Sequence, residues 1–143
     1  MVAGESEPVL VELTVPKRVV ERGLMDGLVV PVGQFTGERR LDPALPGEQI
    51  ADFLADAAHR PDGFVARAQD GAQALAVLAG TVAALCGENI RKALNSPDTA
   101  FLAGLSSGAA DSVREVLLGI ESDTPVEIER ALRAALRPEE TGS

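Results

Sequence analysis

Few residues in this 143-residue chain combine the type and the spacing that chemistry asks for. Gly104-Leu105-Ser106-Ser107-Gly108 matches G-x-S-x-G, the turn that presents a nucleophilic serine in α/β-hydrolases. That turn needs a strand before it, and an acid and a histidine downstream to take the serine proton. Here the preceding residues read as helical and the single histidine, His59, lies upstream, so Ser106 is not expected to be catalytic. His59 closes a predicted helix at the end where the dipole favours a cation, and is expected to be a cap or surface residue. No spacing such as H-E-x-x-H surrounds it with metal ligands. Cys86 follows Val82, Ala84 and Leu85 and is expected to act as a small core hydrophobe, because a reactive thiol wants exposure and neighbouring cations. Neither G-x-G-x-x-G nor G-x-x-x-x-G-K-S/T occurs, and the carboxylates are scattered. The expectation is a protein with no catalytic residue, no cofactor and no bound metal, and not an enzyme.

Bulk composition narrows the class further. Thirteen Lys and Arg against twenty-two Asp and Glu give a formal net charge of −9, which repels phosphate backbones and makes nucleic acid a disfavoured partner. Four Phe with no Trp or Tyr leave little for base stacking. Forty-five per cent of the residues are hydrophobic, enough to build a core within one domain. One Cys and one His exclude a disulfide framework and a Cys/His zinc cluster. The longest apolar run, Ala74 to Gly87, is shorter than the roughly twenty residues of a membrane span, so a buried helix is expected there. Met1 to Pro8 shows neither a basic n-region nor an apolar h-region. These readings favour the cytoplasm, or a virion if the chain is phage-encoded, and the Ala, Gly, Val and Leu usage suits a high-GC bacterium or its phage.

The elements follow from periodicity. Residues 1–8 read as a polar tail and 9–37 as a β-rich arm or hairpin, with Val9, Val11, Leu13 and Val15 alternating along a first strand and Leu28 to Val32 forming a second. Asp26-Gly27 is a turn signal between them, and Pro31 suits a sheet edge. Residues 38–47 read as a linker, 48–137 as a helical bundle and 138–143 as a polar tail. Ile50, Phe53, Leu54, Ala57 and Ala58 share one helical face, and Arg60-Pro61 stops that helix. A second helix is predicted from Gly63 to Leu94; it would span about 48 Å, so a break or bend near Gly71 is expected. A third is predicted from Ser96-Pro97 through Phe101, Leu105, Val113 and Leu117 to Ile120, where Gly104 and Gly108 could split it. Thr124-Pro125-Val126-Glu127 is a capping box that opens the last helix. The fold class expected is α+β: an N-terminal β-hairpin or β-arm followed by a mainly helical bundle of about four helices.

Two features point to partners. Ala76, Gly80, Ala83 and Gly87 would permit close helix packing, within the chain or between copies. The Val-rich arm would pair with a neighbour by strand addition. Together they suggest a non-enzymatic structural, assembly or adaptor protein acting through protein–protein contacts, such as a subunit of a phage or other large complex, with a homo-oligomer expected. Val11 to Val32 also resembles the swapped-hairpin domain of AbrB- and MazE-type regulators, through Val15-Pro16-Lys17, a short helical turn and Gly27. That resemblance implies a DNA-binding regulator with Lys17, Arg18 and Arg22 facing the DNA. The segment departs from the pattern by one residue in spacing, lacks the Asp after Gly27 and puts Pro31 into the second strand. A third reading is an acidic antitoxin or immunity protein that masks a basic partner.

Overall fold

The structure, a computed structural model, describes residues 24–42 and 44–136. Within them the β-branched run after Gly27 forms a strand, β1 (Val29–Pro31), but its partner is far away in sequence. β1 pairs in parallel with β4 (Leu117–Ser122), Val29 opposite Ile120 and Pro31 opposite Ser122. The first strand of the expected hairpin, with Val9, Val11, Leu13 and Val15, lies outside the described residues, as do Lys17, Arg18 and Arg22. Two further strands complete the sheet, β2 (Arg40–Leu41) and β3 (Phe64–Arg67). The order is β1-β4-β3-β2, and every pairing is parallel.

Six helices accompany the sheet among the described residues: α1 (Gly47–Ala57), α2 (Gly71–Cys86), α3 (Ile90–Asn95), α4 (Thr99–Ala103), α5 (Ser107–Val116) and α6 (Pro125–Ala135). The chain is thus a mixed α/β protein, mostly helical, with a four-stranded parallel sheet. This corrects the expected helical bundle and linker in three places. The Gly63–Leu94 stretch is not one helix but β3, α2 and α3. Phe64, Val65 and Ala66 are fully buried, and a strand covered on both faces has a continuous apolar run that periodicity cannot tell from a buried helix. Residues 99–120 likewise split into α4, α5 and β4, and the expected linker 38–47 contains β2.

The helix ends have local causes. α2 begins at Gly71 because Asp70 adopts an extended conformation and its Oδ1 accepts from the Gln73 amide at 2.8 Å. Ser106 caps α5 in the same way, accepting from the Ala109 amide at 3.1 Å. α6 carries Pro125 in its first turn, yet the Thr124 side chain makes no capping bond; instead the Thr124 amide donates to Ser122 Oγ at 2.9 Å. Half of the expected capping box is therefore replaced by a strand-end serine.

α2 is the central helix, packed on α1, α3, α5, α6 and β4. That is why it is apolar on nearly every side, with Ala74 and the run Val77 to Ala83 buried. A Cβ on Gly80 would stand 2.7 Å from both Leu54 Cδ1 of α1 and Leu94 Cδ2 of α3, so the helices meet there at a distance only glycine allows. Ala83 is buried, Ala76 half-buried, and Gly87 closes α2 in the left-handed conformation with open space around it. Phe64 packs edge-on to Phe53 of α1, ring centroids 5.2 Å apart, joining α1 to the sheet.

Candidate functional site

In a sheet whose strands all run one way, every loop that follows a strand emerges at the same end. Here that carboxyl end gathers Val32 after β1, Asp42, Ala44 and Leu45 after β2, Ala68 to Asp70 after β3, and Asp123 and Thr124 after β4. Open parallel sheets characteristically bind their ligands at this end. A cleft of about 510 Å³ opens there, walled by Arg40, Asp42, Arg67, Gln69, Gln73, Ser122, Asp123 and Thr124, with Leu41, Ala44 and Ala68.

One side of the cleft is braced by an ion pair. Residues 32–39 must cross from β1 at one edge to β2 at the other, over β4 and β3. They do so on the face of β4 that carries Gly119 and Glu121. The Phe35 ring lies against Gly119, where a Cβ would be 2.6 Å from Phe35 Cε2. Glu121, with only 1% of its side chain exposed, holds the crossing segment. Its Oε2 accepts from the Gly33 and Phe35 amides at 3.4 Å each. Arg40 donates through Nε to Oε1 at 3.2 Å and through a terminal nitrogen to Oε2 at 3.0 Å, a two-pronged pair. The same guanidinium donates to the Phe35 and Glu38 carbonyls at 2.6 and 3.3 Å. The Arg40 bond holds the Glu121 carboxyl below the usual carboxylate range; burial opposes the shift, and the two backbone amides reinforce it. Arg40 is correspondingly pushed further up by Glu121. Glu121 and Arg40 are thus a clasp for the crossing segment, and their charges are spent on each other.

The remaining charges of the cleft are not. Leu41 stands opposite Ala66, and Arg67 opposite Glu121, so Asp42 and Arg67 lie at the same level on adjacent strand ends. Arg67 and Asp123 are exposed and have no hydrogen bond or ion pair from their side chains among the described residues. Asp42 uses one oxygen to accept from the Ala44 amide at 2.9 Å. Apolar side chains stand on the same end: Val32 is 42% exposed, Leu45 36% and Val126, in the first turn of α6, 66%. Only one other large hydrophobic residue, Phe101 at 49%, is comparably exposed among the described residues. It lies on a second groove of about 440 Å³ between α2, α3 and α4, floored by Ala79, Val82 and Ala83.

The residues weighed for chemistry do not converge. Ser106 starts a helix, follows α4 and a turn instead of a strand, and its hydroxyl is engaged as a cap. His59 is exposed in the turn after α1. Cys86 is exposed at the end of α2, so the expected core role is not what the structure shows. Among the described residues no group of three or more His, Cys, Asp or Glu is placed to hold a metal, and no helix is long and apolar enough to cross a membrane. Sequence reasoning missed Arg40, Glu121, Arg67, Asp42 and Asp123, all of which gain their meaning from strand pairing. The one available signal was Pro31 and the Leu117-Leu118-Gly119-Ile120-Glu121-Ser122 run, whose glycine and length suit a strand. Comparison of the chain with protein-family models, with curated proteins and with solved structures returns no match.

Proposed function

We propose that this is a non-enzymatic assembly or adaptor protein that meets its protein partner through the carboxyl end of its parallel sheet. The observation that carries this reading is the collection of three of the four exposed large hydrophobic residues among the described residues, Val32, Leu45 and Val126, at that one end. Exposed apolar groups beside an open polar cleft are the composition of a recognition surface, in which apolar contact supplies affinity and charged groups supply register. The groove at Phe101 offers a single exposed anchor and is the weaker candidate.

The experiment is the mass of the native complex, purified through a tag from the original host and read by size exclusion with light scattering. The reading predicts a complex well above the 14.9 kDa of the chain. It predicts that Leu45→Lys with Val126→Lys reduces it to monomer, and that Phe101→Lys leaves it intact. A wild-type chain that purifies as a monomer would overturn the reading. So would a complex that survives the double substitution, or one that Phe101→Lys alone disperses.

A further inference from the structure

Building on that reading of the sheet's carboxyl end, we infer that the partner is a different protein that presents a basic segment to the cleft, two Lys or Arg side chains meeting Asp42 and Asp123 while an oxygen between them accepts from Arg67. The free charges of the cleft set this pattern. Arg40 is spent on Glu121, which it holds through two hydrogen bonds. That leaves Asp42, Arg67 and Asp123, which end or follow the three adjacent strands β2, β3 and β4. Across the sheet their order is anion, cation, anion, so the cleft is net acidic. No ion pair closes among the three. Asp42 keeps one carboxylate oxygen open while the other accepts from the Ala44 amide. The surface that matches this order presents a cation, an acceptor and a second cation.

Spacing sets the scale of that match. Neighbouring strands lie about 4.8 Å apart, and the two aspartates stand one strand to either side of Arg67, so they ask for cations on the order of 10 Å apart. Long Lys or Arg side chains reach that far from one short segment. The global charge selects the same partner. At −9 the chain repels a second copy, and a two-fold axis would set Arg67 against Arg67. The same charge repels a nucleic-acid backbone, whereas a basic protein is drawn in from a distance. Exposed charges fix register and the rate of encounter more than affinity. Val32, Leu45 and Val126 at the same end supply the apolar contact, so the segment carries apolar residues beside its cations.

Neutralising the two aspartates tests the pattern. The protein that copurifies with the tagged full chain from the original host is isolated and identified by mass spectrometry. It is then titrated against wild type and against Asp42→Asn with Asp123→Asn over a range of salt concentrations. Asparagine keeps the size of both side chains, and circular dichroism verifies the fold. Asp52→Asn with Glu88→Gln removes the same charge from exposed positions on α1 and after α2, and is the matched control. The cleft variant should bind at least about tenfold more weakly at low salt and lose most of the wild-type salt dependence. The control should stay within about twofold of wild type. A cleft variant that binds like wild type, or no more weakly than the control, would overturn the basic segment; if Leu45→Lys with Val126→Lys still disperses the complex, the contact surface itself stands. A copurifying partner that is a second copy, another acidic protein or a nucleic acid would also overturn it. A wild-type chain that purifies alone would overturn both this inference and the reading beneath it.

Discussion

Replacing Glu121 by Gln keeps the side chain's shape and removes its charge, which isolates what the clasp contributes. The carboxylate is 1% exposed and the guanidinium 35%, joined by bonds of 3.0 and 3.2 Å. Hydrogen bonds to charged groups contribute about 1.5–3 kcal/mol net. The guanidinium end is open to water, so screening holds the expected loss to the lower part of that range, about 2 kcal/mol. For a chain of this size that corresponds to a fall in Tm of roughly 6–10 °C. The sign of the pH dependence follows from the lowered Glu121 pKa. The clasp's contribution is fully present above the unfolded carboxyl value of about 4.3 and is lost as the pH falls through the lower folded value. Urea unfolding of wild type and Glu121→Gln should therefore differ by about 2 kcal/mol at pH 7, and the gap should close only below about pH 4.3. A gap under about 0.5 kcal/mol at pH 7, or one unchanged between pH 7 and pH 3, would refute the clasp.

Three further outcomes follow from the packing. Gly80→Val drives a branched side chain into Leu54 and Leu94 and should destabilise the fold by about 2 kcal/mol or more in urea melts, with Leu94→Ala in the same chain recovering part of the loss. Gly119→Ala sets a methyl against the Phe35 ring; a double-mutant cycle with Phe35→Ala should show a coupling of about 1 kcal/mol, and strict additivity would refute the close contact. Ser106→Ala removes a helix cap and should cost about 1 kcal/mol. The wild-type protein should also resist labelling by a fluorophosphonate, whose attachment to Ser106 would restore the nucleophile reading.

The parts legible in the sequence were those decided by neighbours. The face of α1 is visible in Ile50, Leu54 and Ala57, all buried, and Pro125 marks the start of α6. Even there the local signal was incomplete, since Ser122 accepts the Thr124 amide bond that the capping box assigns to Glu127. The sheet was not legible, because its inner strands are apolar on both faces and short enough to hide within a helical period. Phe64-Val65-Ala66 and Leu117 to Ile120 both read as helix for that reason. The cleft was hidden more deeply. Glu121 meets Arg40 across 81 residues, and Asp42, Arg67 and Asp123 come together only through the parallel register. Nothing in the spacing of these residues announces the sheet that aligns them.

The carboxyl end of the sheet as contact surface is the claim on which the account rests, and proximity in the cell is its most direct measure. A photo-crosslinking side chain placed at Val126 or Leu45, and for comparison at the exposed Asp62 just before β3 at the opposite end, reports which end touches another chain. Irradiation should give covalent adducts from positions 126 and 45, with mass spectrometry identifying the attached chain, and none from position 62. Adducts from position 62 alone, or none from 126 and 45, would contradict the account.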